Sequence, residues 1–160
     1  MRFSHLVEIN DPLNPLIDTL TREQLWNGLV LRAEMSRRFI PWLDECNITS
    51  RSEDSIERAL RYGDAVIRDR VTYRKLESVH YHVPKQGDIP ESDLTMTIET
   101  PYEGRMFVRF EYDDHASEAG GEAESMVNDI RRSAYTESDI DTIRTIREMA
   151  ANGLLDAPMM

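Results

Sequence analysis

A single cysteine, Cys46, stands in 160 residues. No disulfide can therefore form within the chain, and a reducing compartment, the cytoplasm, is the expected location. Basic residues are also scarce: 19 Lys and Arg stand against 30 Asp and Glu, for a net charge of -11. Proteins that grip DNA, RNA or an anionic membrane surface ordinarily present a basic stripe, so nucleic acid is not an expected partner. No apolar run approaches the roughly 20 residues of a membrane span. The opening Met1-Arg2-Phe3-Ser4-His5-Leu6-Val7-Glu8 meets charge before a signal peptide's apolar stretch can build. Nucleophile elbows, phosphate-binding glycine loops and zinc-ligand spacings are missing too, and Gly120-Gly121 reads as the loop before a last helix. Neither a metal nor any other cofactor is expected. With no local group to activate it, Cys46 reads as a small apolar side chain.

What is present suits one folded domain over 1–160, because 40% hydrophobic residues can build one core at this length but not two. Phe3 to Asn10 reads as a strand, stopped by Asn10-Asp11-Pro12. Asn14-Pro15 predicts the start of a short helix to about Leu20, since proline is favoured at the first helical position. Thr21-Arg22-Glu23-Gln24 is a capping box opening a second short helix, with Leu25, Trp26, Leu29, Val30 and Ala33 on one side and Pro41 ending the segment. Strands are then predicted over Cys46–Arg51, Ser55–Tyr62, Ala65–Tyr73, Ser78–Val83, Leu94–Thr100 and Arg105–Asp113. Gly63 suits the first position of a type II′ turn, and Gly104 the left-handed position of a three-residue hairpin loop. Ala116–Gly121 reads as a loop, and the acidic run Glu118 to Glu124 as a solvated helix start. From Glu122 the helical period returns in two stripes: Ala123, Met126, Val127, Ile130 and Ala134, then Ile140, Ile143, Ile146, Met149 and Ala150. The stripes are out of phase and Thr136-Glu137-Ser138-Asp139 resembles a fresh N-cap, so a kink or break is predicted near Tyr135–Ser138.

The segments Phe3-Ser4-His5-Leu6-Val7-Glu8-Ile9-Asn10-Asp11-Pro12, Leu20-Thr21-Arg22-Glu23-Gln24-Leu25-Trp26 and Asp139-Ile140-Asp141-Thr142-Ile143-Arg144 carry a resemblance. Together with the order of elements, they resemble the Bet v 1-like (START, or SRPBCC) superfamily. The likeness is to a small bacterial and fungal branch without an assigned function that resembles plant pathogenesis-related allergens. The resemblance implies an α+β helix-grip fold: a seven-stranded curved antiparallel sheet, two short helices after the first strand, and a long C-terminal helix. It also implies a cavity between sheet and helix, used across the superfamily for apolar or amphipathic ligands. Fold alone does not choose among that superfamily's lipid and hormone binders, cyclases, chaperone co-activators and oxygenase subunits.

Spacing permits a sharper inference at the Gly63-Asp64 hairpin. A two-residue turn pairs Tyr62 with Ala65, Leu60 with Ile67, Arg58 with Asp69 and Ile56 with Val71, all on one face. Arg58 and Asp69 are the only charged members of that face. In a helix-grip fold it is the concave one, where unmatched charge is costly. The pair is then a polar anchor, with Arg58 offered to a ligand, or a structural ion pair near the rim, or, after a register slip, a pair turned outward. His80 and His82 share one side of their strand, which raises a metal site, but Val79, Tyr81 and Val83 take the buried side, so both histidines are expected to face solvent. Trp26 and Trp42 read as packing for the short helices.

The leading expectation is a binding protein for a small apolar or aromatic ligand. The hairpin contributes candidate ligand-binding residues Arg58, Leu60, Tyr62, Asp69 and Val71, and the next strand Tyr81. Met96, Ile98, Val108 and Phe110 come from the following strands, and Met126 and Ile130 from the helix, although such residues are equally plain core. The alternatives are a cyclase- or dehydratase-like enzyme using Tyr62, Tyr73, Tyr81, Asp69 and Arg58 for proton handling, and a protein–protein adaptor with a filled core.

Overall fold

A computed structural model describes residues 1–116 and 121–158. The chain runs β1 (Arg2–Asn10), α1 (Arg22–Glu34), a 3₁₀ turn (Ser36–Arg38), β2 (Glu45–Arg51), β3 (Ser55–Tyr62), β4 (Ala65–Arg74), β5 (Ser78–Val83), β6 (Ser92–Glu99), β7 (Met106–Asp113) and α2 (Glu122–Ala151). Seven antiparallel strands lie in the order β1-β7-β6-β5-β4-β3-β2, so the first strand closes against the last and β2 is the far edge. The middle of the expected loop, including Glu118 and Gly120, lies outside the described residues.

Each strand follows its sequence signal to within two residues. Gly63 adopts φ +60°, and β3 pairs β4 as Tyr62↔Ala65, Leu60↔Ile67, Arg58↔Asp69 and Ile56↔Val71. Leu94, Met96 and Ile98 face Tyr112, Phe110 and Val108, with Gly104 at φ +80°. Residues 100–105 separate β6 from β7, a longer link than the expected three-residue loop.

Three expectations are corrected. The segment after β1 forms turns, because short side chains bind the backbone before a helix can start: the Leu13 N–H donates to Asp11 and the Leu16 N–H to Asn14. One α-helix, α1, therefore precedes β2, opened by the expected Thr21–Gln24 capping box. The long helix is continuous through Tyr135–Ser138, since the Thr136 hydroxyl donates to the Arg132 carbonyl (2.9 Å) instead of capping a new start. Trp26 is buried edge-on to Tyr73, whereas Trp42 is exposed.

The out-of-phase stripes of α2 follow what each half of the helix faces. The C-terminal half buries Ile143, Ile146 and Met149 against one end of the sheet. In the N-terminal half Met126 and Ile130 are 66% and 68% exposed, and just past the midpoint Ile140 is 43% exposed. There the inward line is Arg131, Tyr135 and Asp139, spaced four apart, so the polar face looks toward the sheet.

Gly28 of α1 lies directly against Ile146 of α2. A Cβ built there would lie 2.6 Å from Ile146 Cγ2 and 2.8 Å from Cγ1, and Ile146 is fully buried. Gly28→Val is expected to destabilise the chain by about 1–3 kcal/mol in urea unfolding, despite valine's better helix propensity. A variant as stable as the parent would show that the helices do not close on this point.

Candidate functional site

The two ends of the concave face differ. Where the C-terminal half of α2 lies, Val71, Met96, Ile98, Val108 and Phe110 form solid core with Ile143 and Ile146. Toward the Gly63 hairpin the N-terminal half of α2 stands off, leaving an open-sided cavity of about 380 Å³. Its apolar wall includes Leu60, Ile67, Val83, Ile89 and Leu94, and its polar groups include Arg32, Arg58, Asp69, Tyr81, Tyr112 and Arg131. Of the sequence-predicted residues, Arg58, Leu60, Tyr62, Asp69 and Tyr81 therefore line the cavity. Val71, Met96, Ile98, Val108 and Phe110 are displaced from it because α2 fills that end, and Met126 and Ile130 sit on the helix's outer side.

Arg58 and Asp69 meet indoors. Arg58 Nε donates to Asp69 Oδ1 (2.9 Å) and Nη2 to Oδ2 (2.6 Å), a two-pronged pairing. Nη1 donates to the Ala33 carbonyl (2.7 Å) and Ser36 Oγ (2.8 Å) at the C-terminal end of α1. Helix C-termini present unsatisfied carbonyls and negative dipole, so they welcome a buried cation. Burial is the largest influence and opposes the Arg58 charge, but the Asp69 hydrogen bonds together with the electrostatic pull of Tyr81, Asp69 and Cys46 outweigh it and hold the guanidinium more firmly protonated than in water. Most of its donors are spent on protein, which makes the pair a latch between hairpin and helix. Of the readings that the sequence leaves open for this pair, these bonds favour the structural ion pair.

The side chain of Arg32, one residue before Ala33, makes no hydrogen bond or ion pair among the described residues, and its Nε is buried without a partner. Its Cζ lies 5.1 Å from the centroid of the Tyr81 ring, as does that of Arg58. The Tyr81 hydroxyl is likewise buried and unpartnered. Burial raises the Tyr62 phenol above its usual range, against the pull of Arg32 and Arg58. Tyr73 is turned away from the cavity and donates to Glu34 (2.7 Å).

A second polar group escapes sequence reasoning. Tyr112, on the cavity wall, donates to Asp139 Oδ1 (2.6 Å), and His5 Nε2 bonds Asp139 Oδ2 (2.6 Å). Tyr135 stacks on Tyr112 at 4.1 Å, and Arg131 reaches Asp114 (2.9 Å). His5, Tyr112 and Asp139 each interrupt an inward-facing apolar series, and that was the available signal. Outside the sheet, His80 and His82 face away from the core as expected, but both bond Asp93 Oδ1 (2.7 and 2.9 Å), while His115 bonds Oδ2 (2.5 Å). Partial burial would raise the Asp93 carboxyl, and the three imidazoles more than reverse that.

A family model described as acetylaranotin biosynthesis cluster protein L (AtaL) matches residues 7–153. The chain belongs to the AtaL family. A search of curated proteins returns no significant match. Among solved structures, the AtaL-family chain is similar to the ZhuI aromatase/cyclase from Streptomyces sp. R1128 (TM-score 0.64, 12% identity, 94% of this chain and 93% of that one). It is similar also to Ara h 8.0201 (TM-score 0.57, 9% identity, 95% and 99%) and to a START superfamily protein from Mycobacterium smegmatis (TM-score 0.58, 13% identity, 94% and 97%). These likenesses establish the Bet v 1-like, START-like fold.

Asp139 yields a pH test. Burial raises its carboxyl above the model-compound value of 3.8, against the hydrogen bonds from Tyr112 and His5. The folded chain then holds this proton more tightly than the unfolded chain, so stability is lost as pH rises through the ionisation. Relative to Asp139→Asn, the parent's unfolding free energy is expected to fall as the pH rises from about 4 through the raised ionisation of Asp139. A parent that gains on the variant across that window would contradict a raised carboxyl.

Proposed function

We propose that the chain is a small-molecule binding protein that holds an apolar or aromatic ligand between the sheet and the N-terminal half of α2. The observation that carries this reading is the cavity of about 380 Å³, walled mainly by apolar side chains with a few converging polar groups. Pockets for small ligands typically occupy roughly 300–1,000 Å³ with that composition. A filled core, which the adaptor reading requires, is hard to reconcile with this space.

Family membership supports the proposal, because the family's description places a member in a biosynthetic cluster, where small molecules are made. The fold shared with an aromatase/cyclase keeps a cyclase-like enzyme as the second reading. The observation favouring it is Tyr112, whose hydroxyl on the cavity wall is tied to Asp139 and His5, groups suited to moving a proton. Asp69 is no longer suited to that role, since both its oxygens are engaged by Arg58. No helix among the described residues is long and apolar enough to cross a membrane. With its lone cysteine the chain is proposed to act in the cytoplasm, as one domain over 1–160.

Titration with the neutral fluorescent probe N-phenyl-1-naphthylamine tests the binding reading. One probe is expected to bind per chain, and Ile67→Trp, which places an indole in the cavity, should weaken binding by about tenfold or more at unchanged fold. Ile130→Ser on the outer face should leave it unchanged. Probe binding that ignores Ile67→Trp, or its absence from the parent, would overturn the proposal.

A further inference from the structure

Two buried donors in the cavity lack acceptors: the Arg32 guanidinium at Nε and the Tyr81 hydroxyl. Native interiors leave few such groups unpaired, because each forfeits its hydration without compensation. Both belong to the same cavity wall, with the Arg32 Cζ 5.1 Å from the Tyr81 ring centroid.

The charges around them decide what kind of acceptor fits. The chain as a whole carries a net charge of -11, yet the acids near this space are committed elsewhere. Asp69 is held by Arg58, Asp114 by Arg131 and the Met1 ammonium, and Asp139 by Tyr112 and His5. Asp93, at the rim, is taken by three histidines, and Asp113 is paired with Arg2. Arg58 and Arg131 are correspondingly occupied. Among the described residues Arg32 is thus the one cavity cation without a counter-ion, and a guanidinium presents a fork of donors that matches a carboxylate.

We infer that the cavity selects ligands bearing an anionic oxygen group, a carboxylate or an equivalent phenolate or enolate, seated on Arg32 and the Tyr81 hydroxyl, with the apolar body against Leu60, Ile67 and Leu94. The inference rests on the binding reading above and narrows its ligand class to acidic aromatic or amphipathic molecules. Arg32 sets the specificity of this site. Arg58 braces the wall on which Arg32 is presented.

The test compares two ligands of matched shape, 2-naphthoate and the uncharged 2-naphthamide, by calorimetric titration at pH 7.5 into the parent, Arg32→Gln and Arg32→Lys. The parent is expected to bind 2-naphthoate about tenfold or more tightly than 2-naphthamide, as charge-assisted hydrogen bonds imply. Arg32→Gln should abolish that preference by weakening 2-naphthoate about tenfold or more, and Arg32→Lys should keep part of it. Equal affinities in the parent, or a preference that survives Arg32→Gln, would overturn the charge assignment and leave the binding reading standing. Failure of both ligands to bind the parent would overturn both.

Discussion

A guanidinium buried between a β-hairpin and a helix end is the constraint on which the rest of this structure depends. Arg58 projects from the middle of β3 into a region where an unmatched charge would cost several kcal/mol. Two sources meet that demand, Asp69 across the strand pair and the Ala33 carbonyl with Ser36 at the end of α1. The first is available only at this hairpin register, and the second only if α1 ends over this part of the sheet. Satisfying both fixes where α1 stops, and therefore where Arg32 enters the cavity.

The closeness of the two helices sets the other boundary. Gly28 lets α1 approach Ile146, so the C-terminal half of α2 sinks onto the sheet and fills that end with Ile143, Ile146 and Met149. Seated at its C-terminal end, the helix leaves space between its N-terminal half and the sheet. The N-terminal half accordingly faces inward with long polar and aromatic side chains, Arg131 and Tyr135, which border open space without needing dense packing. The cavity follows from this seating, and from polar groups held apart by their own hydrogen bonds.

Most of this fold was legible in the sequence because it rests on local rules. Period-two alternation and Gly63 dictated the β3–β4 register, and with it the meeting of Arg58 and Asp69. The capping box likewise marked the start of α1. What escaped notice depends on contacts between distant parts of the chain. Nothing near Arg58 in sequence announces that its donors go to Ala33 and Ser36, so the anchor and the latch could not be told apart. His5 and Asp139 lie 134 positions apart, and only their intrusion into apolar series hinted at a meeting. Hydrophobicity alone points Met126 and Ile130 inward, but at that end α2 turns Arg131 and Tyr135 to the cavity and leaves both apolar side chains on its outer side. The missing helix before α1 is a contest between proline-guided helix initiation and Asx-type side-chain bonds, which the latter win.

The central claim, that the Arg58–Asp69 pair is a buried latch rather than a ligand anchor, is tested most directly by urea unfolding of Asp69→Asn, with Arg58→Met and the double variant Arg58→Met/Asp69→Leu completing the cycle. The account expects Asp69→Asn to cost about 3–5 kcal/mol in the absence of any ligand, and the double variant to cost clearly less than the two single changes together, because removing both charges leaves neither stranded. A cost below about 1 kcal/mol for Asp69→Asn, as found for ion pairs exposed to water, would contradict it.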